Sequence, residues 1–514
     1  DSTGAFLLEK GEHADTALHV GVSWELVDTY PPQVPGLAGV TMNYQVGTHL
    51  VRAAAARWAG IHPYDAMSRF DITLWAAALV LALRAVAHVL GLGRGTVAVA
   101  GFLPLASDLS FVPGLLLGAQ WWAFKLGTSL VEAIFYANSM TPALALALGT
   151  IVALARREQG GGRGFLVLAA ALAAGTGFLK VFTGALLIGA VALALLLRRQ
   201  LLPALAVLLP GLLVLVLLAA GSVSPAGVRG VTVEIVPFSL AHSARLAFGL
   251  PEPQGWWAML GSGLAWLGLA LGLRVVGVPR ALLALRRGSA ALAALAGLAL
   301  AGWPLAFLLR VTADPRADES FYFAQASGLA LWLFAVPVVL APGRHLVLRS
   351  AAALLLCLPS TVEFVLRKAA QPAEPIPAAA VEAMRALRAA SCPGDVVMTR
   401  PLPSHVPLPV VLAGRRVVFS NYIGYWQQFV EEKRIRERDR LVRAFFRSRD
   451  AAAALEIARS TGARFVYLTG SQKMDFDPRG ALALLFEREG ERVFAILPRD
   501  PGGCDERAGP APYR

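Results

Sequence analysis

Between residues 72 and 366 the chain alternates long apolar runs with short clusters of arginine, proline and glycine. A helix needs about 20 mostly apolar residues to cross the hydrocarbon core of a bilayer. Runs of this kind fall at 72–90, 96–118, 141–156, 164–179, 181–197, 201–220, 256–273, 289–309, 322–341 and 346–366. The second is interrupted by Ser107 and Asp108 and reads as a short span followed by a surface segment. The fourth and fifth are short and meet at Lys180, which reads as the apex of a tight hairpin. The pattern predicts a mainly α, polytopic α-helical membrane protein of about ten spans.

After Lys368 the character changes. Gln371-Pro372-Ala373-Glu374-Pro375 is a linker, and Val381, Met384 and Leu387 recur at helical spacing within 377–390. Short β-type runs follow at Val396–Thr399, Arg416–Phe419, Phe465–Leu468 and Val493–Leu497, separated by helical patterns at 431–448, 450–461 and 480–488. That alternation predicts a small α/β domain. The expected division is a first loop with amphipathic surface helices over 1–71, a transmembrane domain over 72–366 and a soluble α/β domain over 367–514. No internal repeat is evident.

Composition agrees: 56% of the 514 residues are hydrophobic and only 16% are charged, too few to cover soluble domains of that length. The net charge of +13 does not indicate a nucleic-acid partner, because the basic residues fall mostly at span ends and on one mixed-charge helix, 431–449. Arginines at 94, 156, 157, 163, 198, 199, 274, 280, 286, 287, 344 and 349 lie in alternate loops. The loops 119–140, 221–255 and 310–321 are longer and richer in acids. The positive-inside rule then makes the first set cytoplasmic and puts both the N-terminal loop and the C-terminal domain outside. Asp1 opens directly into polar sequence with no signal-peptide regions, so a first span or signal anchor is expected upstream. Cys357 lies in an apolar run, whereas Cys392 and Cys504 share the C-terminal part, where a disulfide could form if that part is exoplasmic.

The candidate chemistry begins in the first loop. Drawn as a helix, Glu12, Asp15, His19 and Ser23 share one face, while Ala17, Val20, Trp24 and Val27 line the opposite one. A helix lying apolar side down on the membrane would present a carboxylate and an imidazole one turn apart. Such a pair suits a general base, and equally a divalent cation. The same spacing is also that of any amphipathic helix whose polar face meets water. A rigid turn from Tyr30 to Gly39, with Pro31, Pro32 and Pro35, leads to Asn43, Tyr44 and His49 at the start of a second amphipathic helix.

This order of features resembles bacterial membrane glycosyltransferases of the GT-C superfamily: an acid followed four residues later by His, a Pro-Pro-x-x-Pro turn, Asn-Tyr, then His-Leu before the next span. Asn138-Ser139-Met140-Thr141-Pro142-Ala143, Phe321-Tyr322-Phe323, Leu412–Val417 and Arg464–Leu468 extend the resemblance over most of the chain. The chain departs from it in one respect: Glu12 and Asp15 are separated, where the superfamily often has paired acids.

The resemblance implies inverting transfer of a sugar from a polyprenyl-phosphate donor to a glycan, lipid or protein acceptor at the outer face of the bacterial plasma (inner) membrane. Asp15 matches the family's essential first-loop acid and would act as base, with His19 beside it. Glu12, Asn43, Tyr44 and His49 would contact substrate. Lys180, Arg310 and Arg316 are the candidate cations for the departing phosphate. The bland alternatives are snorkelling for Lys180 and neutralisation of Arg310 and Arg316 by Asp314, Asp318 and Glu319. No cofactor is implied with certainty, although a divalent metal is compatible; membrane lipids are expected partners.

Other charges carry less. Arg84 and His88 read as snorkelling at a span end, and Asp108 and Glu132, near Trp121, Trp122 and Tyr136, as interfacial anchoring. Asn421, Tyr422, Tyr425 and Trp426 suit either sugar stacking or core packing. No P-loop, dinucleotide fingerprint, HExxH or paired Cys-x-x-Cys occurs. The competing functional class is a non-enzymatic transporter or lipid-handling protein on the same scaffold. Against it, transporters usually place key ionisable groups at midplane, and these spans are nearly free of acids.

Overall fold

The computed structural model describes all residues except 1–5, 10–13, 43, 90, 92–100, 118–125, 127, 137, 222–230, 313–317, 372, 402–406, 422 and 499–514. Two compact units emerge. One takes the described residues up to Met67 and from Gln371 onward; the other takes those of 68–223 and 231–370.

The second unit is helical and apolar. Among the described residues six helices are long and apolar enough to cross a membrane, including Met140–Glu158, Leu201–Leu218, Trp256–Arg287, Ala290–Leu308 and Phe321–Val339. Leu346–Cys357 and Pro359–Ala370 form a broken pair bent by 46°, and Gly164–Leu179 and Val181–Leu197 are shorter apolar helices. Position in the unit follows composition. Helix Ala290–Leu308, alanine-rich and apolar all round, is mostly buried between Val181–Leu197 and Phe321–Val339, most fully in its first half. Helix Leu201–Gly221 instead exposes Leu202, Leu209, Leu213 and Leu217, as a lipid-facing helix does.

One expected span is not continuous. Where 96–118 reads as a single apolar run, the described residues form only short helices, Leu103–Leu105 and Phe111–Leu116. Asp108 lies between them and is buried. Its Oδ1 accepts from Ser110 N at 3.0 Å and Oγ at 2.5 Å, and its Oδ2 from Thr128 Oγ1 at 2.5 Å. The run breaks because a buried carboxylate must collect donors, and a turn supplies them. Asp108 is therefore interior and not an interfacial anchor. Arg274 is likewise buried, not set on a surface loop; it donates to Ala270 O at 2.7 Å and reaches Thr128 Oγ1 at 3.4 Å.

The first unit joins the N-terminal loop to the C-terminal domain. A five-stranded sheet runs in the order β6-β5-β7-β9-β8, where β5 is Val396–Thr399, β6 Arg416–Val417, β7 Ala463–Leu468, β8 Leu482–Arg488 and β9 Glu491–Ile496. Strands β5, β6 and β7 are parallel, while β9 is antiparallel to both β7 and β8. Residues 480–488, expected as helix, are the edge strand β8. Glu489 and Gly490 both adopt positive φ (49° and 85°). That is the backbone of a two-residue hairpin turn, and it fixes β8 against β9 despite the helix-favouring Ala and Leu content of the segment. Cys392 is disulfide-bonded, Cys357 is free and buried, and Cys504 lies outside the described residues.

The first loop is built into this unit. Helix α1 (Ala14–Asp28) buries Val20, Val22 and Ser23 completely, so it is not an amphipathic helix resting on a surface. Trp24 Nε1 donates to Val411 O at 3.1 Å, and Gly414, at φ 64°, leaves room for that indole, which a Cβ there would meet at 2.9 Å. The proline turn adds to the sheet edge: Val417 N donates to Pro35 O at 3.0 Å, Ala38 N to Val417 O at 3.1 Å and Ser420 N to Gly36 O at 2.8 Å. Strand β1 (Phe6–Glu9) pairs antiparallel with β4 (Ala373–Ile376).

The strongest link is a buried bidentate pair in which Arg416 Nε and Nη2 donate to the two Glu25 carboxylate oxygens at 2.7 and 2.8 Å. Removing one partner leaves an uncompensated buried charge, a loss of about 3–5 kcal/mol. We expect Glu25→Ala to destabilise the full chain by about that amount in denaturant unfolding. The Glu25→Ala/Arg416→Met double variant should lose less than the two single variants combined; strict additivity would contradict this role for the pair.

Candidate functional site

Asp15 lies in α1 one turn before His19, and its side chain is outside the described residues, as are Glu12, Asn43 and Arg316. The other first-loop candidates come together. His19 Nδ1 lies 2.9 Å from His49 Nε2, across from α1 to α2 (Gly47–Ala59). The Tyr44 ring is 6.3 Å from His19 and 5.8 Å from His49, centroid to centroid. Arg52, almost wholly buried, follows His49 on α2. His49 is 2% exposed, and burial first, then His19 and Arg52, pushes its pKa well below the usual histidine value. His49 is therefore held neutral, able to take a hydrogen bond or relay a proton but not to carry a standing charge. The facing nitrogens of the two rings engage each other. Among the described residues no three His, Cys, Asp or Glu side chains could hold a metal ion.

In the membrane unit the hairpin apex forms where expected. Helices Gly164–Leu179 and Val181–Leu197 approach so closely that a Cβ on Gly184 would overlap the Gly177 backbone. Lys180 caps both helices and is 4% exposed, so it is buried and does not snorkel. Its Nζ lies 3.4 Å from the Tyr322 ring centroid and 5.8 Å from that of Phe182. Asn138 Nδ2 donates to Tyr322 Oη at 3.4 Å. Tyr322 thus links the buried ammonium of Lys180 to Asn138, joining three segments far apart in sequence.

Arg310 lies elsewhere in that unit, on β3 (Leu309–Thr312), paired antiparallel with β2 (Thr232–Ile235) so that Arg310 and Glu234 are opposite. It lines a cavity of about 290 Å³ with Phe238, Ser239, His242, Arg245 and Asp318. Asp318 Oδ1 accepts from Val311 N at 3.2 Å and Ser320 N at 3.0 Å, holding the turn that leads to Tyr322. Phe238 adopts φ 68°, a strained conformation for a bulky residue, and is clamped edge-on to Phe307 at 4.9 Å. Spacing alone offered no signal for this cavity, because its lining comes from β3, the loop before Trp256 and the helix Ser239–Ala247. Lys368, over the Tyr136 ring at 4.5 Å, was also not anticipated. Nor was the Asp108–Thr128–Arg274 network, whose visible signal was an acid and an arginine inside apolar runs.

No protein-family model and no curated protein matches the chain. Solved structures do. The oligosaccharyltransferase of Archaeoglobus fulgidus, tethered to an acceptor peptide, is 12% identical with a TM-score of 0.49 over 88% of this chain and 64% of its own. The same enzyme with Zn and sulfate is 13% identical, TM-score 0.49, over 88% and 63%. ArnT from Cupriavidus metallidurans bound to undecaprenyl phosphate is 12% identical, TM-score 0.48, over 96% and 94%. The chain spans slightly less than two thirds of the archaeal enzyme's length. At this level the likeness is coarse, and no residue role is taken from it.

The imidazoles make the first unit acid-sensitive. Burial holds His49 down and lowers His62 to about 4 from 6.5, so folding resists protons that the unfolded chain accepts. This contribution is complete above about pH 6.5 and is lost as pH falls through the window below it. We expect the thermal midpoint of the full chain in detergent to fall between about pH 7 and about pH 5, above the carboxylate range. His62→Gln should flatten part of the slope. A midpoint constant across that window would contradict the assignment.

Proposed function

We propose that the protein is a membrane glycosyltransferase of the GT-C type, transferring a sugar with inversion from a polyprenyl-phosphate donor to an acceptor at the outer face of the bacterial plasma membrane. The observation that carries the reading is the pairing of His19 with His49, one helical turn from Asp15. The two imidazoles, with the Tyr44 ring beside them, form a polar cluster in the segment where the sequence resemblance expects the base. In this reading Asp15 takes the acceptor hydroxyl proton as the oxygen bonds to the anomeric carbon. The bond from that carbon to the lipid phosphate breaks on the opposite face, and the phosphate leaves as an anion. His19 and His49 position the acceptor hydroxyl. The sequence resemblance calls for a cation to meet the leaving phosphate, and Lys180, buried against Tyr322, and Arg310 are the described candidates for it. The C-terminal domain holds α1 in place through Glu25 and Trp24.

The test uses the full chain in lipid with a panel of polyprenyl-phosphate sugars. Asp15→Asn should cut transfer by about 10²–10⁴-fold, the usual share of general acid–base catalysis, while donor binding persists. Lys180→Met should weaken donor binding. Wild-type turnover in Asp15→Asn would remove the base assignment, and absence of donor binding by the wild type would remove the transferase reading itself.

A further inference from the structure

A second cavity, of about 700 Å³, opens in the membrane unit at the end where helix Met140–Glu158 finishes and Ala290–Leu308 begins. Its walls are apolar: Ile151 and Ala155, then Leu292, then Leu333, Phe334 and Pro337 from Phe321–Val339. Its rim carries Arg280 and Arg287 of helix Val278–Arg287. Three other arginines at this end are engaged by protein groups. Arg198 donates to Gly288 O and Leu285 O at 3.0 Å, Arg157 to Gln200 at 3.3 Å, and Arg349 to Val338 O and Ala341 O. Arg280 and Arg287 are exposed and make no hydrogen bond or ion pair among the described residues. The cavity also contains the Glu158 carboxylate, which accepts from Ala290 N at 2.6 Å and Ala291 N at 3.3 Å. That carboxylate is engaged in capping a helix and forms no ion pair with either rim arginine.

We infer that this cavity is a binding site for one anionic glycerophospholipid, its phosphodiester held by Arg280 and Arg287 and an acyl chain lying along Leu292, Leu333 and Phe334. Charge complementarity selects the headgroup: two guanidiniums without partners face the opening, and each offers a planar fork suited to phosphate oxygens. The wall selects a lipid over a soluble anion, because a free phosphate would leave that apolar surface uncovered. A volume of this size is in the usual range for a small-ligand cavity. Occupation would join four helices at one end of the unit, so the ligand should stabilise the fold. The site does not depend on the transferase reading.

The experiment uses delipidated full chain in detergent, titrated with phosphatidylglycerol, phosphatidylethanolamine, phosphatidylcholine or glycerol 3-phosphate. Thermal midpoint and retained lipid by native mass spectrometry are read together. Phosphatidylglycerol should raise the midpoint and be retained at one copy, with at least about tenfold weaker binding in Arg280→Gln/Arg287→Gln. Arg286→Gln, a neighbouring exposed arginine outside the lining, should behave as wild type. Leu292→Trp, which fills the cavity and keeps both arginines, should also lose the retained lipid, which covers the case of a double variant that fails to fold. Equal responses to all three phospholipids, preference for phosphatidylethanolamine, a full response to glycerol 3-phosphate, or an equal loss in Arg286→Gln would each overturn the proposal.

Discussion

The first unit depends on a buried ion pair between residues that stand at opposite ends of the chain. Glu25 and Arg416 meet in bidentate geometry with almost no access to water. Two charges are costly to bury, and the cost is offset only where geometry is good and further bonds satisfy the groups. Here Glu25 also accepts from Gln33 N at 3.3 Å, so the same carboxylate ties the proline turn to α1. The turn in turn lies along β6, where Arg416 itself sits. One carboxylate therefore connects the candidate catalytic helix, the rigid turn and the sheet. A pair of this kind specifies register as much as it stabilises: a one-residue slip of β6 would turn Arg416 to the other face of the sheet.

The membrane unit solves the same problem differently. An apolar solvent offers no partners, so each polar group in a span must find one within the protein. Lys180 does so with aromatic faces, Asp108 with hydroxyls and a backbone amide, and Arg274 with a carbonyl and Thr128. Gln325 donates to Ser129 O at 3.1 Å beside that network. Close approach between helices, made by glycine at Gly177 and Gly184, puts the Lys180 apex within reach of the Tyr322 helix.

Much of the helical layout was legible in the sequence because lipid imposes a length. The expected runs 164–179 and 181–197 coincide with the observed helices, and 141–156 and 201–220 differ by a residue or two at the ends. The interrupted run 96–118 was not legible as structure, since hydropathy averages over the buried Asp108 that breaks it. Strand β8 was misread because Ala and Leu favour helix locally, while the hairpin turn at Glu489-Gly490 decides the pairing. Helix α1 was misplaced for a third reason. Periodicity finds the apolar face of Val20 and Trp24 but cannot say what covers it, and the cover is Val411 and its neighbours. His19 was singled out by its spacing from Asp15 and His49 by the resemblance, and their contact depends on how α1 and α2 cross, which neither could show.

The neutral state of His49 bears directly on the chemistry. Burial acts first on His49, and the nearby His19 and Arg52 push its pKa the same way, so the ring on α2 carries no standing charge. A neutral ring can still donate one hydrogen bond and accept another, and His49 meets His19 in that capacity. Fixed positive charge in the other unit lies with Lys180, held against the Tyr322 ring, and with Arg310 on β3. In the proposed transfer the two imidazoles would orient the acceptor and the Asp15 carboxylate would remove its proton. Each role is set by burial and partners more than by residue type.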